Sequence, residues 1–290
     1  MKCSDIIRLL NDLAPEETAC SWDNPGLLIG RSDANVSKIL IALEITDEVV
    51  NTAVSLRADM IVTHHPMIFH PVSKISSETG TGRRILQLVR HDIACYAMHT
   101  NYDMAPQGMG VLAADRIGLI EQRFLTELYA FTDSREKEYH GGLGRIGMLK
   151  KPMRLRELAA LTDREFRNEG MRVFAPEDGL DQMVQQVAIV PGSGGDCVGA
   201  ALEAGADVLI TGDISHHVGR DAVSDGLMIL DPGHYSLEFP FAEAVSRYLD
   251  GLVSADAEII TAPYQPPFIT LASGAYEKEK AEAEEAGENP

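Results

Sequence analysis

Residues 38–66 read KILIALEITDEVVNTAVSLRADMIVTHHP, and residues 187–217 read VAIVPGSGGDCVGAALEAGADVLITGDISHH. Both follow one plan. An apolar strand leads through an alanine- and valine-bearing helical stretch to a turn, Arg57-Ala58-Asp59 or Gly205-Ala206-Asp207, and then to a second apolar strand at 60–62 or 208–210. The first copy closes on Thr63, His64, His65 and Pro66, the second on Thr211, Gly212, Asp213, Ser215, His216 and His217. Each then adds a strand running into polar residues: 93–98 into His99, Thr100, Asn101, Tyr102 and Asp103, and 227–230 into Asp231, Pro232, Gly233, His234, Tyr235 and Glu238. Strands without polar alternation, separated by helical stretches, predict a mostly buried sheet covered by helices. The fold expected is α/β, two related halves forming one composite site. In such sheets functional side chains gather past the carboxyl ends of the strands, which is where these histidines and carboxylates fall.

The halves are expected at 1–121 and 186–276. Between them, 122–185 changes texture and reads as a small central excursion or lid: 140–148 (HGGLGRIGM) is glycine-rich, 155–167 predicts a helix and 171–174 a short strand. That glycine run lacks the strand-to-helix context and the G-K-[ST] ending of a phosphate loop, so its glycines are read as serving tight backbone turns. Residues 277–290 carry six glutamates against two lysines and no large apolar residue, the composition of a frayed or disordered acidic tail.

With 290 residues, 45% of them hydrophobic, the chain can bury a proper core. A formal charge of -19 argues against free nucleic acid as a partner, because phosphate-backbone binders rely on Lys and Arg to displace counterions. The four cysteines, Cys3, Cys20, Cys95 and Cys197, show no C-x-x-C spacing and read as thiols of a reducing compartment. The first residues, MKCSDIIRLLNDLAPEE, pattern as an amphipathic helix and not as a signal peptide. No apolar run approaches the roughly 20 residues needed to cross a bilayer. A cytoplasmic protein without membrane contact is the expectation.

His64 and His65 are the sharpest chemical signal. Pro66 biases His65 toward extended backbone, on which consecutive side chains diverge, so two metal-binding histidines here imply two ions. Dinuclear hydrolytic sites hold their ions about 3.5 to 4 Å apart. His234 and Glu238, at i,i+4, share one face if a helix begins at His234, although in isolation a helix start with a favourable acidic residue is the better explanation of them. Asp103 has the same double reading, as a helix cap or a ligand. Taken together, three histidines and two bridging carboxylates supply seven of the eight bonds of two four-coordinate ions, leaving one position for water. His99, Thr100 and Asp231 are candidates for orienting these ligands. His216 and His217 sit further past their strand, with a rim, substrate or structural role open to them; His70 and His91 read as surface or packing residues. Trp22-Asp23-Asn24-Pro25-Gly26 forms a turn by its chemistry, read as packed, with substrate contact as the alternative.

At these residues the sequence resembles the NIF3-like family, the dinuclear metal centre proteins also called GTP cyclohydrolase 1 type 2 homologs. The motifs that carry the resemblance are SWDNPGLLIG at 21–30, IVTHHP at 61–66, HTNYD at 99–103, PGSGGD at 191–196, TGDISHH at 211–217 and DPGHYSLE at 231–238. The resemblance implies a dimetal site built from His64, His65, Asp103, His234 and Glu238, and a toroidal homohexamer with its sites facing an interior cavity. It also implies hydrolytic opening of the purine ring of GTP, for which His99 or His217 would shuttle protons. Hydrolysis of another small phosphorylated substrate, or a metal-binding scaffold without turnover, stand as alternatives. The PGSGGD loop can hold an anion through backbone amides or serve as a tight turn. His and carboxylate donors suit zinc, iron, manganese and cobalt alike.

Overall fold

The computed structural model describes residues 1–132, 138–167 and 170–270, so the acidic tail lies outside the described residues. The first unit runs α1 (Cys3–Leu13), β1 (Gly26–Ile29), β2 (Lys38–Ala42), α2 (Asp47–Leu56), β3 (Met60–Thr63), α3 (Gly80–Arg90), β4 (Ala94–Ala97), α4 (Thr100–Asp103) and α5 (Met109–Ile117). A hairpin of β5 (Ile120–Thr132) and β6 (Glu138–Arg154) follows. The second unit repeats the first: α6 (Leu155–Phe166), β7 (Arg172–Phe174), β8 (Met183–Ser193), α7 (Val198–Glu203), β9 (Val208–Gly212), α8 (His216–Ser224), β10 (Met228–Asp231), α9 (His234–Glu238) and α10 (Pro240–Val253). A last strand, β11 (Glu258–Thr261), ends the described fold.

Sheet order repeats as faithfully as element order. Parallel strands β4-β3-β2 form the centre of one sheet and β10-β9-β8 the centre of the other, with β1 antiparallel on β4 and β7 antiparallel on β10. The shared turn has one local cause in both copies. The backbone enters it through a left-handed residue, Arg57 (φ 54) or Gly205 (φ 77). The aspartate that follows accepts two backbone N–H bonds from the start of the neighbouring strand. Asp59 takes those of Ser37 and Lys38 at 2.8 and 3.0 Å, Asp207 those of Gln185 and Gln186 at 2.7 and 2.8 Å. Such charge-assisted bonds are about twice as strong as neutral ones and fix the strand register.

The segment 122–185 is divided differently from the expected excursion. Its helix and short strand are α6 and β7, the counterparts of α1 and β1, and its glycine-rich stretch lies within β6, which pairs antiparallel with β8. The pairing of β6 with β8 spans 29 to 44 residues of sequence, so local texture carries no sign of it.

Each unit also lends its end to the other. Phe241, Val245, Leu249 and Val253 of α10 pack with Ile6 and Leu10 of α1 on the first sheet, whereas Ala113, Ala114 and Ile117 of α5 pack with Leu155, Leu158 and Phe166 of α6 on the second. β11 flanks β2, and the β5–β6 hairpin flanks β8. The opposite faces of the two sheets are closed by α2 with α3 and by α7 with α8. Phe241 is fully buried, and truncating such a residue costs about 3–5 kcal/mol. The exchange of α5 and α10 draws the short helices before them, α4 and α9, into the seam between the sheets. Among the described residues no helix is long and apolar enough to cross a membrane.

Candidate metal centre

His64 and His65 leave the carboxyl end of β3 with both backbone N–H groups donating to the Leu43 carbonyl, at 3.1 and 2.9 Å. The His64 ring is buried, and its Nδ1 donates to the Met98 carbonyl at 2.7 Å. That bond fixes the tautomer and turns the Nε2 lone pair inward. Asp103 enters from the last position of α4. His234 and Glu238 stand one helical turn apart on α9, so both side chains project from one face into the seam.

All five residues converge. His64 Nε2 lies 3.5 Å from Asp103 Oδ1 and 3.5 Å from Glu238 Oε1. On the other side of the same carboxylate, Glu238 Oε2 lies 2.9 Å from His65 Nε2 and 2.8 Å from His234 Nε2. Two triads result, His64–Asp103–Glu238 and His65–His234–Glu238, with donor atoms mutually within 4.8 Å in each. Either could hold a metal ion. The donor chemistry fits one: His64 Nε2 and Asp103 Oδ1 are buried without a hydrogen-bond partner, which is costly in the absence of a cation. The His65 and His234 Nε2 atoms lie 3.2 Å apart, and two nitrogens bound about 2.0 Å from one tetrahedral ion would be separated by about 3.3 Å.

Glycines back the ligands. Gly192 of the PGSGGD loop has φ +76, and a Cβ there would sit 2.4 Å from Glu238 Oε1. At Gly212 a Cβ would meet the His234 backbone nitrogen at 2.6 Å. The loop left open between anion cradle and tight turn therefore serves close approach to the ligand helix.

Two carboxylates orient histidines, and a third ties two of the loops together. Asp213 Oδ2 accepts from His234 Nδ1 at 2.8 Å, and Asp23 Oδ1 from His99 Nδ1 at 2.7 Å. Asp231, buried, accepts the backbone N–H groups of Ile214 and Gly233 and pairs with Arg172, tying together the loops that carry Asp213 and His234. Sequence reasoning assigned no role to Asp213 and placed Asp23 in a turn; it singled out Asp231. Strand register shows what Asp213 is. Thr63 and Thr211 occupy the same position against Ala42 and Val190, so Asp213 corresponds to His65. His216 and His217 are thereby carried on to the exposed first turn of α8, and neither belongs to the His/Asp/Glu clusters among the described residues. His99 does join a cluster, with His64 and His65.

The charges of the centre are interlocked. Burial pushes the Asp103 carboxyl up to about 7, with Glu238 adding to the rise and His64 opposing it. Burial alone would lower His234, but Glu238 and Asp213 outweigh it and hold the imidazolium up to about 9. Glu238 is also penalised by burial, yet His64, His234 and His65 keep it well below the ordinary carboxylate range. Burial opposes ionisation of Asp23 too, and the bonds from His99 and Thr100 overcome it, lowering its carboxyl.

A pH dependence follows with a definite sign. The raised Asp103 and His234 values mean that the metal-free folded chain binds more protons than the unfolded chain from about pH 4 to about 9, so its stability falls as pH rises through that window. Glu238 contributes the reverse, stability lost only in acid. Metal binding must displace the two protons, so affinity should rise about tenfold per pH unit between about 7 and 9 and more steeply below 7. The gain in melting temperature on adding a fixed concentration of Mn²⁺ should accordingly grow from pH 6 to pH 8.5. A gain independent of pH would contradict this assignment of protons.

Beside His65 and His234 a cavity of about 660 Å³ opens, lined among others by Arg172, Asp213, Tyr235 and Phe268. It offers room for a small molecule at the edge of the second triad.

The Duf34/NIF3 (NGG1p interacting factor 3) family profile matches residues 1–267. A Clostridium perfringens protein described as a GTP cyclohydrolase 1 type 2 homolog is 35% identical over 260 residues, covering 90% of this chain and 95% of that protein. A Streptococcus pneumoniae protein of the same description is 34% identical over 250 residues, covering 86% of this chain and 90% of its own length. Among solved structures, a Bacillus cereus protein related to NIF3 superposes with a TM-score of 0.86 at 27% identity, covering 93% of this chain and 99% of the other. A Staphylococcus aureus protein superposes at 0.85 with 31% identity and the same coverage.

Proposed function

This chain belongs to the Duf34/NIF3 family, and we propose that it holds two divalent transition-metal ions and uses them to hydrolyse a small substrate, opening the purine ring of GTP. The observation that carries the reading is Glu238, whose two oxygens face different triads. His64 and Asp103 would hold one ion, His65 and His234 the other, with Glu238 bridging. Zinc, iron, manganese or cobalt suits such donors. Ions in a site of this kind supply activation of water at neutral pH and polarise the group attacked.

His99 is the proton carrier of this proposal. Asp23 holds its Nδ1, and a ring nitrogen of His99 lies within 4.8 Å of the His64 and His65 donors. The Asp23 carboxylate fixes the tautomer and stabilises the charged ring when a proton arrives. His217 is kept as a rim residue, with no contact to the five ligands to support a part in proton transfer. The support for GTP is the description borne by the relatives, of which this chain covers nine tenths or more in length. We also propose a cytoplasmic, self-associating protein, the toroidal homohexamer being the assembly to test by native mass.

The test is GTP consumption by protein whose metal has been restored. Turnover is expected in the wild type, and His99→Ala should lose about 10²–10⁴-fold in rate while retaining its metal. Full metal occupancy with no turnover of GTP or other nucleotides would reject the hydrolase in favour of a metal-binding scaffold.

A further inference from the structure

The turn at 22–26, read from the sequence as packed with substrate contact as the alternative, is packed only in part. Asp23, its second residue, has a fully buried side chain, held by the His99 ring and by the backbone and hydroxyl of Thr100 at 2.7, 3.0 and 2.6 Å. Trp22, next to it, is 59% exposed. Phe69, from the loop after the histidine pair, is 38% exposed and lies beside the indole, with centroids 5.9 Å apart. Both rings border His99, Trp22 at 6.3 Å and Phe69 at 6.1 Å, and the His99 ring lies 5.3 Å from that of His64. An aromatic path thus runs from solvent to the metal residues.

The ledge is braced. Asn24 Nδ2 donates to the Ile68 carbonyl at 2.5 Å, joining the Trp22 loop to the Phe69 loop, and the Cys20 backbone N–H is tied to Thr100 Oγ1 at 2.9 Å. Two large apolar rings are therefore held open to water by polar anchors on either side, a cost that a collapsed turn would avoid. The two rings are tilted by 56° to one another and not stacked face to face.

We propose that Trp22 and Phe69 form a stacking ledge for the planar base of a purine-type heterocycle, presenting it to His99 and the metal residues. Flat π-faces stack on indole and phenyl rings, and a base carries polar edges that the neighbouring His99 and buried carboxylates can meet. The inference rests on the hydrolase reading for its substrate class, and supplies the element that reading lacks, a means of orienting a base.

Trp22 is the only tryptophan of the chain, so intrinsic emission reports on the ledge directly. Metal-restored full-length protein would be titrated with guanosine and, separately, with ribose 5-phosphate. Saturable quenching by guanosine and none by ribose 5-phosphate is expected. By calorimetry, Trp22→Ala should weaken guanosine at least about tenfold and Trp22→Phe much less, both keeping the wild-type metal content. Unchanged guanosine affinity in Trp22→Ala, or equal quenching by ribose 5-phosphate, would overturn the proposal. Emission that responds to protein dilution and not to guanosine would overturn it too, assigning the ledge to a second copy of the chain. Failure of the hydrolase reading looks different: quenching would saturate in the wild type while GTP is never consumed.

Discussion

Replacing Glu238 by alanine is expected to empty both metal positions together. No other residue of the centre faces both triads, and its carboxylate is 4% exposed with the Nε2 atoms of three histidines at 2.8 to 3.5 Å. Removing an outer partner of a metal ligand costs about 10–100-fold in affinity; removing a ligand common to two ions should exceed that for each. Glu238→Gln is the sharper variant. It keeps the shape but not the charge, so it should also lose both ions while folding normally. By contrast His65→Ala should weaken one position more than the other. If Glu238→Ala retained one ion at native affinity, the carboxylate would belong to a single triad and the bridge would be wrong.

Gly192→Ala should also weaken metal binding, without replacing a ligand. At φ +76 an alanine carries backbone strain of about 1–2 kcal/mol. Its methyl would lie 2.4 Å from Glu238 Oε1 and 3.5 Å from Glu238 Cδ, so the ligand must move. A fall in metal affinity of at least about 10-fold is expected, the scale of losing an orienting contact. Gly195, three residues on, provides the control. A Cβ there meets only Val218 Cγ1, at 4.0 Å, so Gly195→Ala should change stability by no more than about 0.5 kcal/mol. Equal metal binding in Gly192→Ala and Gly195→Ala, measured by calorimetry, would refute the close-approach role and return the loop to the anion-binding alternative.

What was legible in the sequence is what depends on near neighbours. The strands at 38–42, 60–63 and 208–212 are short apolar runs bounded by turn residues, and His234 and Glu238 meet because one helical turn separates them. The α/β class and the convergence of the five candidate ligands could be read in this way. The exchange of α5 and α10 could not, since an amphipathic helix shows which face it buries but not which of two similar sheets receives it. Nor could the Asp23–His99 pair, 76 residues apart, which looks in sequence like an Asx-type turn. For His217 the sequence offered a resemblance alone. Its histidine pair mirrors His64-His65 in composition, but strand register puts Asp213 opposite His65, and the intervening residues lift the pair on to an exposed helix. At Trp22 the packed reading gives way to its alternative, because apolar character argues for burial and only the anchoring of Asp23 explains its exposure.

The central claim is that one carboxylate joins two metal positions in the seam between the repeated units. Metal content per chain, measured on protein purified without chelators and reconstituted at about pH 8, tests it most directly, with wild type and Glu238→Gln side by side. Two ions per chain in the wild type, falling toward none in Glu238→Gln, is the predicted result. One ion or none in the wild type after reconstitution, or two ions surviving in Glu238→Gln, would contradict it.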